Sequence, residues 1–192
     1  MTLLPAPRAL YVMDVLEVGA AWRRDLERLS HGTDPDTQAA LNALLDRRAR
    51  LVSTIRQANL VTTAGLNFLL QTLIKGSGYT AAWYVGLKAT GTAVAADTMA
   101  SHAGWAEITA YTQASRIALQ MADASGGSMT NSANRAVFTA SGSFTAFGCF
   151  LTSNATKGGT TGLMLNVANF GAGSQARTAG QVLRVQATLS IA

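Results

Sequence analysis

Cysteine occurs once in the 192 residues, at Cys149, and histidine twice. A single cysteine excludes an intramolecular disulfide. Two histidines with one cysteine fall short of the four ligands of a structural zinc site. Charged residues make up only 13% of the chain, about half the share usual in a soluble domain. Against 48% hydrophobic residues, that excludes a wholly disordered chain. No apolar run approaches the ~18 residues that a membrane-spanning helix needs. Residues 1–8 lack the basic start and apolar stretch of a secretion signal. The 3 prolines are outnumbered by 18 glycines, and the length suffices to bury a core without disulfides or metals.

Acids are scarce after residue 76, where only Asp97, Glu107 and Asp123 occur. Glycoside hydrolysis needs two carboxylates flanking one bond. Asp97 and Glu107 are the available pair, and they read better as a turn-capping Asp and a surface Glu. His102 has acidic and hydroxyl neighbours, but no Gly-x-Ser-x-Gly elbow accompanies it, so it reads as a loop histidine. Cys149 falls inside an apolar strand pattern and reads as a small core residue. Neither a phosphate-binding Gly-Lys-Ser/Thr loop nor a dinucleotide-binding glycine fingerprint occurs. No catalytic constellation, cofactor site or metal site emerges, and a non-enzymatic protein is expected.

The net charge is +5. Residues 1–75 carry nine Lys or Arg against seven Asp or Glu, and residues 76–192 carry six against three. The positive balance of the second half therefore comes from missing acids. Dispersed basic residues argue against nucleic-acid binding, which relies on a concentrated patch. Trp83, Tyr84, Trp105 and Tyr111 could stack on bases or sugars but read as packing residues.

Composition shifts near residue 76, which suggests two regions: 1–76, a helical arm or attachment region, and 77–192, a β domain. Val12, Val15, Gly19, Trp22, Leu26 and Leu29 recur at spacings of 3 and 4, the stripe of an amphipathic helix. Asp34-Pro35 marks a second helix start, with Leu41, Leu44, Leu45, Leu51, Val52 and Ile55 on one face. A third helix is expected from Thr62 or Thr63 to Gly76. Such stripes need a partner. One arrangement is a hairpin packed on the second half; the other is an arm docked on another subunit. Trp22, Leu26, Leu29, Leu44, Leu51 and Ile55 are the candidate interface residues.

The second half reads as short strands separated by Gly/Ser/Asn turns. Residues 143–151 are apolar on both faces and suit a central strand. Leu183, Val185, Ala187, Leu189 and Ile191 alternate with polar residues, the period of a strand with one face buried. The fold class expected is α+β: an N-terminal helical arm or hairpin, then an antiparallel β-sandwich, with a jelly roll among the topologies considered.

Several stretches carry a family resemblance: Asn59 to Leu70, Trp83 to Lys88, Ala96 to Trp105 (Ala-Asp-Thr-Met-Ala-Ser-His-Ala-Gly-Trp), Glu107 to Tyr111, and Phe150 to Gly162. Over about residues 59–192 the chain resembles a family of small structural proteins of tailed bacteriophages and prophages. The Asp97–Trp105 block is its most specific part. The resemblance implies a virion component, assembled in the host cytoplasm, whose partners are other phage structural proteins of capsid or tail. An accessory capsid protein of cement or decoration type is expected first, and a tail-associated adaptor or receptor-binding module second. A homo-oligomer is expected, with a trimer suggested by the resemblance and by the heptad-like first stripe.

Overall fold

A computed structural model of the chain describes residues 8–18, 31–32, 34–58, 60–75, 82–126, 128–171 and 173–190. The alternating C-terminal segment forms a strand, β13 (Val182–Ser190), at the centre of a five-stranded antiparallel sheet. One edge of β13 pairs with β1 (Arg8–Val18), which in turn pairs with β2 (Ala49–Ala58). The other edge pairs with β7 (Ser128–Thr130) and with β8 (Ala136–Thr139). A six-stranded sheet runs in the order β3 (Leu60–Val61), β11 (Met164–Asn169), β10 (Gly148–Thr152), β4 (Tyr84–Gly91), β5 (Trp105–Ile108), with β6 (Ile117–Ala118) also on β4. β9 (Phe144–Ala146) pairs with β12 (Gln175–Arg177). All these pairings are antiparallel, and with two helices among the described residues the fold is α+β with a sheet-rich body.

The two large sheets share one core. Phe138, Leu183, Val185 and Ala187 from the first sheet join Val85, Leu87, Cys149, Leu151 and Leu165 from the second. Burial of these side chains is the main favourable term, at about 1.5–3 kcal/mol for each large one. β10 is central, between β4 and β11, and all five of its residues are buried. Cys149 and Leu151 point into the core between the sheets, while Phe150 points to the opposite face. Its ring lies over Gly86, its partner across the ladder. A Cβ at position 86 would collide with that ring, so this strand position needs glycine.

The expected first helix is corrected over the described residues. Arg8–Val18, which contains Val12 and Val15, is a strand. Its three valines and Tyr11 suit a strand by preference although the spacing is helical, and β13 needs a partner for its second edge. Residues 19–30, with Trp22, Leu26 and Leu29, lie outside the described residues. The second helix, α1 (Pro35–Arg48), is also shorter than expected. Leu51, Val52 and Ile55 belong to β2 instead. The gap of six residues from Leu45 to Leu51 breaks helical period, and β-branched residues follow it.

α1 starts where Asp34 accepts a hydrogen bond from the Thr37 amide at 2.9 Å, an N-cap. That bond holds the Asp34 carboxyl below the ordinary range. The helix buries Leu41 and Leu45 and sets Gln38 and Asn42 against the outer edge of β8. Gln38 accepts from the Val137 amide at 3.2 Å, and Asn42 donates to the Arg135 carbonyl at 2.8 Å. Amide side chains thus stand in for a neighbouring strand. Arg184 is buried in β13 and paired with Asp46 of α1. The second face of β13 is therefore covered in part, where alternation alone suggests solvent.

The third helix, α2 (Thr63–Lys75), forms where the sequence places it. Thr62 caps it, accepting from the Gly65 amide at 3.0 Å and donating to the Met164 carbonyl at 2.6 Å. A Cβ at Gly65 would strike the Leu165 carbonyl, so glycine lets the helix start directly on β11.

Candidate functional site

The block that carries the resemblance folds back on itself. Asp97 Oδ2 accepts from the Val94 amide at 3.0 Å and from the Trp105 indole N–H at 2.8 Å. Thr98 accepts from the Ser101 amide at 3.0 Å. The indole is thereby aimed inward, onto Phe150 at 5.3 Å between ring centroids. Met99, Trp105, Phe150, Met164 and Val167 form a second apolar cluster, on the far face of the six-stranded sheet. Lys88 is buried beside it. Its ammonium donates to the Ala89 and Gly91 carbonyls and to Asn169, and lies 5.7 Å from the Trp105 ring centroid. Burial pushes that ammonium's pKa down, while the nearby Asp97 carboxylate acts in the opposite direction. These contacts knit the irregular stretch of β4 between Lys88 and Gly91.

A second network begins at Glu107. Its two oxygens accept from Arg116 Nε at 2.9 Å and from a terminal guanidinium nitrogen at 2.6 Å. This is a bidentate pair with both side chains nearly inaccessible, 0% for Arg116 and 7% for Glu107. Arg116 also donates to the carbonyls of Asn154 and Gly159 at 2.9 and 2.8 Å. Glu107 accepts a third bond from the Gly158 amide at 3.0 Å. The pair therefore clasps the loop that joins β10 to β11. Glu107 is not the surface carboxylate that the sequence suggests.

The same loop is fixed at further points. Lys157 donates to the Tyr111 and Gln113 carbonyls at 3.0 and 2.7 Å and sits 4.4 Å from the Tyr111 ring centroid. Burial lowers its pKa. Asn154 accepts from the Thr156 amide at 2.7 Å and donates to Thr161 at 2.6 Å. Gly158 adopts φ = +74°, which suits glycine.

Between this loop and the 97–105 block runs an open groove of about 480 Å³. Its lining includes Ser101, His102, Glu107, Thr109, Gly159 and Thr160. The His102 ring stacks on Trp105 at 4.2 Å, and Nδ1 lies 3.0 Å from the Trp105 carbonyl oxygen. A carbonyl only accepts, so Nδ1 carries the proton and Nε2 is the acceptor of the neutral ring. Asp97 faces the indole, Glu107 faces Arg116 and His102 faces a backbone carbonyl. Among the described residues no group of three or more His, Cys, Asp or Glu side chains could hold a metal. Cys149 is fully buried, and its thiol pKa is raised by that burial.

Of the candidate interface residues, Leu44 is half-buried on α1 beside the buried Leu41 and Leu45. Leu51 and Ile55 stand on β2, opposite Leu16 and Met13 of β1. Of the four aromatic residues that could stack on bases or sugars, Trp105 and Tyr111 are core, 6% and 2% exposed, while Trp83 and Tyr84 are half-buried, Trp83 against the core. Among the described residues Lys88, Arg116, Arg177 and Arg184 are the buried cations that sequence reasoning missed. A signal existed for Arg116, because three acids in the second half leave a buried cation few carboxylates to meet. Among the described residues no helix is long and apolar enough to cross a membrane. No family model matches the chain, and no curated protein matches it.

Proposed function

We propose that this protein is a non-enzymatic structural component of a tailed-phage particle. Within that class it acts as an accessory capsid protein of cement or decoration type, a homo-oligomer that binds the shell. The observation that carries this reading is the use of the conspicuous polar residues. Asp97, Glu107, Arg116, Lys88 and Lys157 are all engaged within the fold, as locks on loops. Rigid loops on a two-sheet body suit a part repeated many times on a surface. The resemblance of residues 59–192 to small phage structural proteins supports the same class.

The trimer is part of this proposal and rests on the resemblance and the first-stripe spacing. Exposed apolar residues offer contact area. Leu60, Leu66 and Val94 are 41%, 37% and 50% exposed. The first two flank Thr63, whose amide bonds to the Ala95 carbonyl beside Val94. A tail-associated adaptor is the second reading, and the groove beside His102 is the feature that favours it.

The test is cosedimentation of the tagged protein with separated heads and tails. Saturable binding to heads at tens to hundreds of copies is the expected result. Binding only to tails, at a handful of copies, selects the second reading. Binding to neither contradicts both.

A further inference from the structure

We propose that the groove between the 97–105 block and the 157–160 loop binds a neutral, hydroxyl-rich ligand, a short uncharged saccharide. The inference stands apart from the particle position proposed above, because it rests only on the groove's own chemistry.

Three features converge on this ligand class. The first is charge. The one carboxylate in the lining, Glu107, accepts three internal hydrogen bonds and is neutralised by Arg116. Lys157 adjoins the groove, but its ammonium is directed to the Tyr111 and Gln113 carbonyls. Neither charge is left to select an ionic ligand. The second is the pattern of the lining. Hydroxyls of Ser101, Thr109 and Thr160 can each donate and accept, and His102 Nε2 accepts. The methyl groups of Ala100, Ala103 and Ala106 stand among them, with the half-buried His102 ring. A pyranose presents the same alternation, hydroxyls at its rim and a C–H face. The third is rigidity. Both walls are held by side-chain hydrogen bonds, so little order has to be imposed when a ligand binds. The volume of about 480 Å³ lies in the range of small-molecule sites.

The test is an NMR titration of the isotope-labelled full chain. Neutral probes are trisaccharides of glucose, galactose, mannose and N-acetylglucosamine. Charged counterparts are sialyllactose and sucrose octasulfate. We expect at least one neutral probe to shift the amides of Ser101, His102, Thr109 and Thr160 saturably. His102→Ala should weaken that binding about tenfold or more, equivalent to about 1.4 kcal/mol. Thr160→Val should do the same, and because Thr160 is exposed and valine is nearly isosteric, the fold stays intact in that variant. The proposal is overturned if no neutral probe binds up to about 10 mM, well above the ~1 mM scale of weak affinities. It is also overturned if the shifts lie elsewhere, if Thr160→Val binds like the native chain, or if a charged probe binds more tightly.

Discussion

Arg116 ties its own segment to two others, β5 through Glu107 and the β10–β11 loop through the Asn154 and Gly159 carbonyls. A buried pair that loses one partner leaves a charge without compensation, which costs about 3–5 kcal/mol. Arg116→Ala and Glu107→Gln are each expected to lose stability on that scale in urea unfolding. Their double variant should lose much less than the sum, and amide exchange at Gly158 and Gly159 should accelerate. Cys149 gives a pH signature. Burial raises its thiol pKa, whereas an unfolded thiol ionises near about 8.5. The folded chain keeps this proton where the unfolded chain releases it. The thiol's contribution is therefore complete below about pH 8.5 and declines as pH rises toward the folded value. Tyr111, also raised by burial, acts in the same direction from about pH 10. Lys88 and Lys157 are lowered, so they add stability as pH climbs toward about 10.4. Comparison with Cys149→Ala isolates the thiol: the native chain should lose stability relative to the variant between about pH 8.5 and 10.

At the scale of elements, β13 changes partner along one edge, from β8 at residues 182–185 to β7 at residues 188–190. Asn131 fills the break. It accepts from the Ala187 amide at 2.7 Å and donates toward the Val185 carbonyl at 3.4 Å. Asn131→Ala should cost about 1–3 kcal/mol, because those backbone groups are left buried and unpaired. Asn131→Asp keeps the acceptor but buries a carboxylate with one oxygen against the Val185 carbonyl, so it should cost at least as much as Asn131→Ala, measured by urea unfolding at neutral pH. Alternation was enough to place β13, apolarity on both faces marked β10 as central, and Thr62 marked the start of α2. The strands β1 and β2 were hidden because Val12 and Val15, like Val52 and Ile55, stand three apart, a helical spacing that strand alternation does not share. Only the need of β13 for a second neighbour decides between them. The site divides in the same way. Asp97 was legible as a cap because capping is local. The Glu107–Arg116 clasp and the role of Lys88 were not, since each joins strands whose pairing the sequence does not state.

At the scale of the whole molecule, a shared core between two sheets and a second apolar cluster under Trp105 make the six-stranded sheet a buried middle layer over much of its area. The loops above it are tied down by side chains rather than left to vary, which suits a part that must present the same surface in every copy. In the proposed capsid role, the net charge of +5 would favour an acidic partner surface, with an attraction that weakens with salt. Quantitative mass spectrometry of purified, intact particles tests the central claim most directly, with copies counted against the major capsid protein. We expect this chain at tens to hundreds of copies per particle, remaining with the head fraction after tails are removed. Its absence from purified particles would contradict the account.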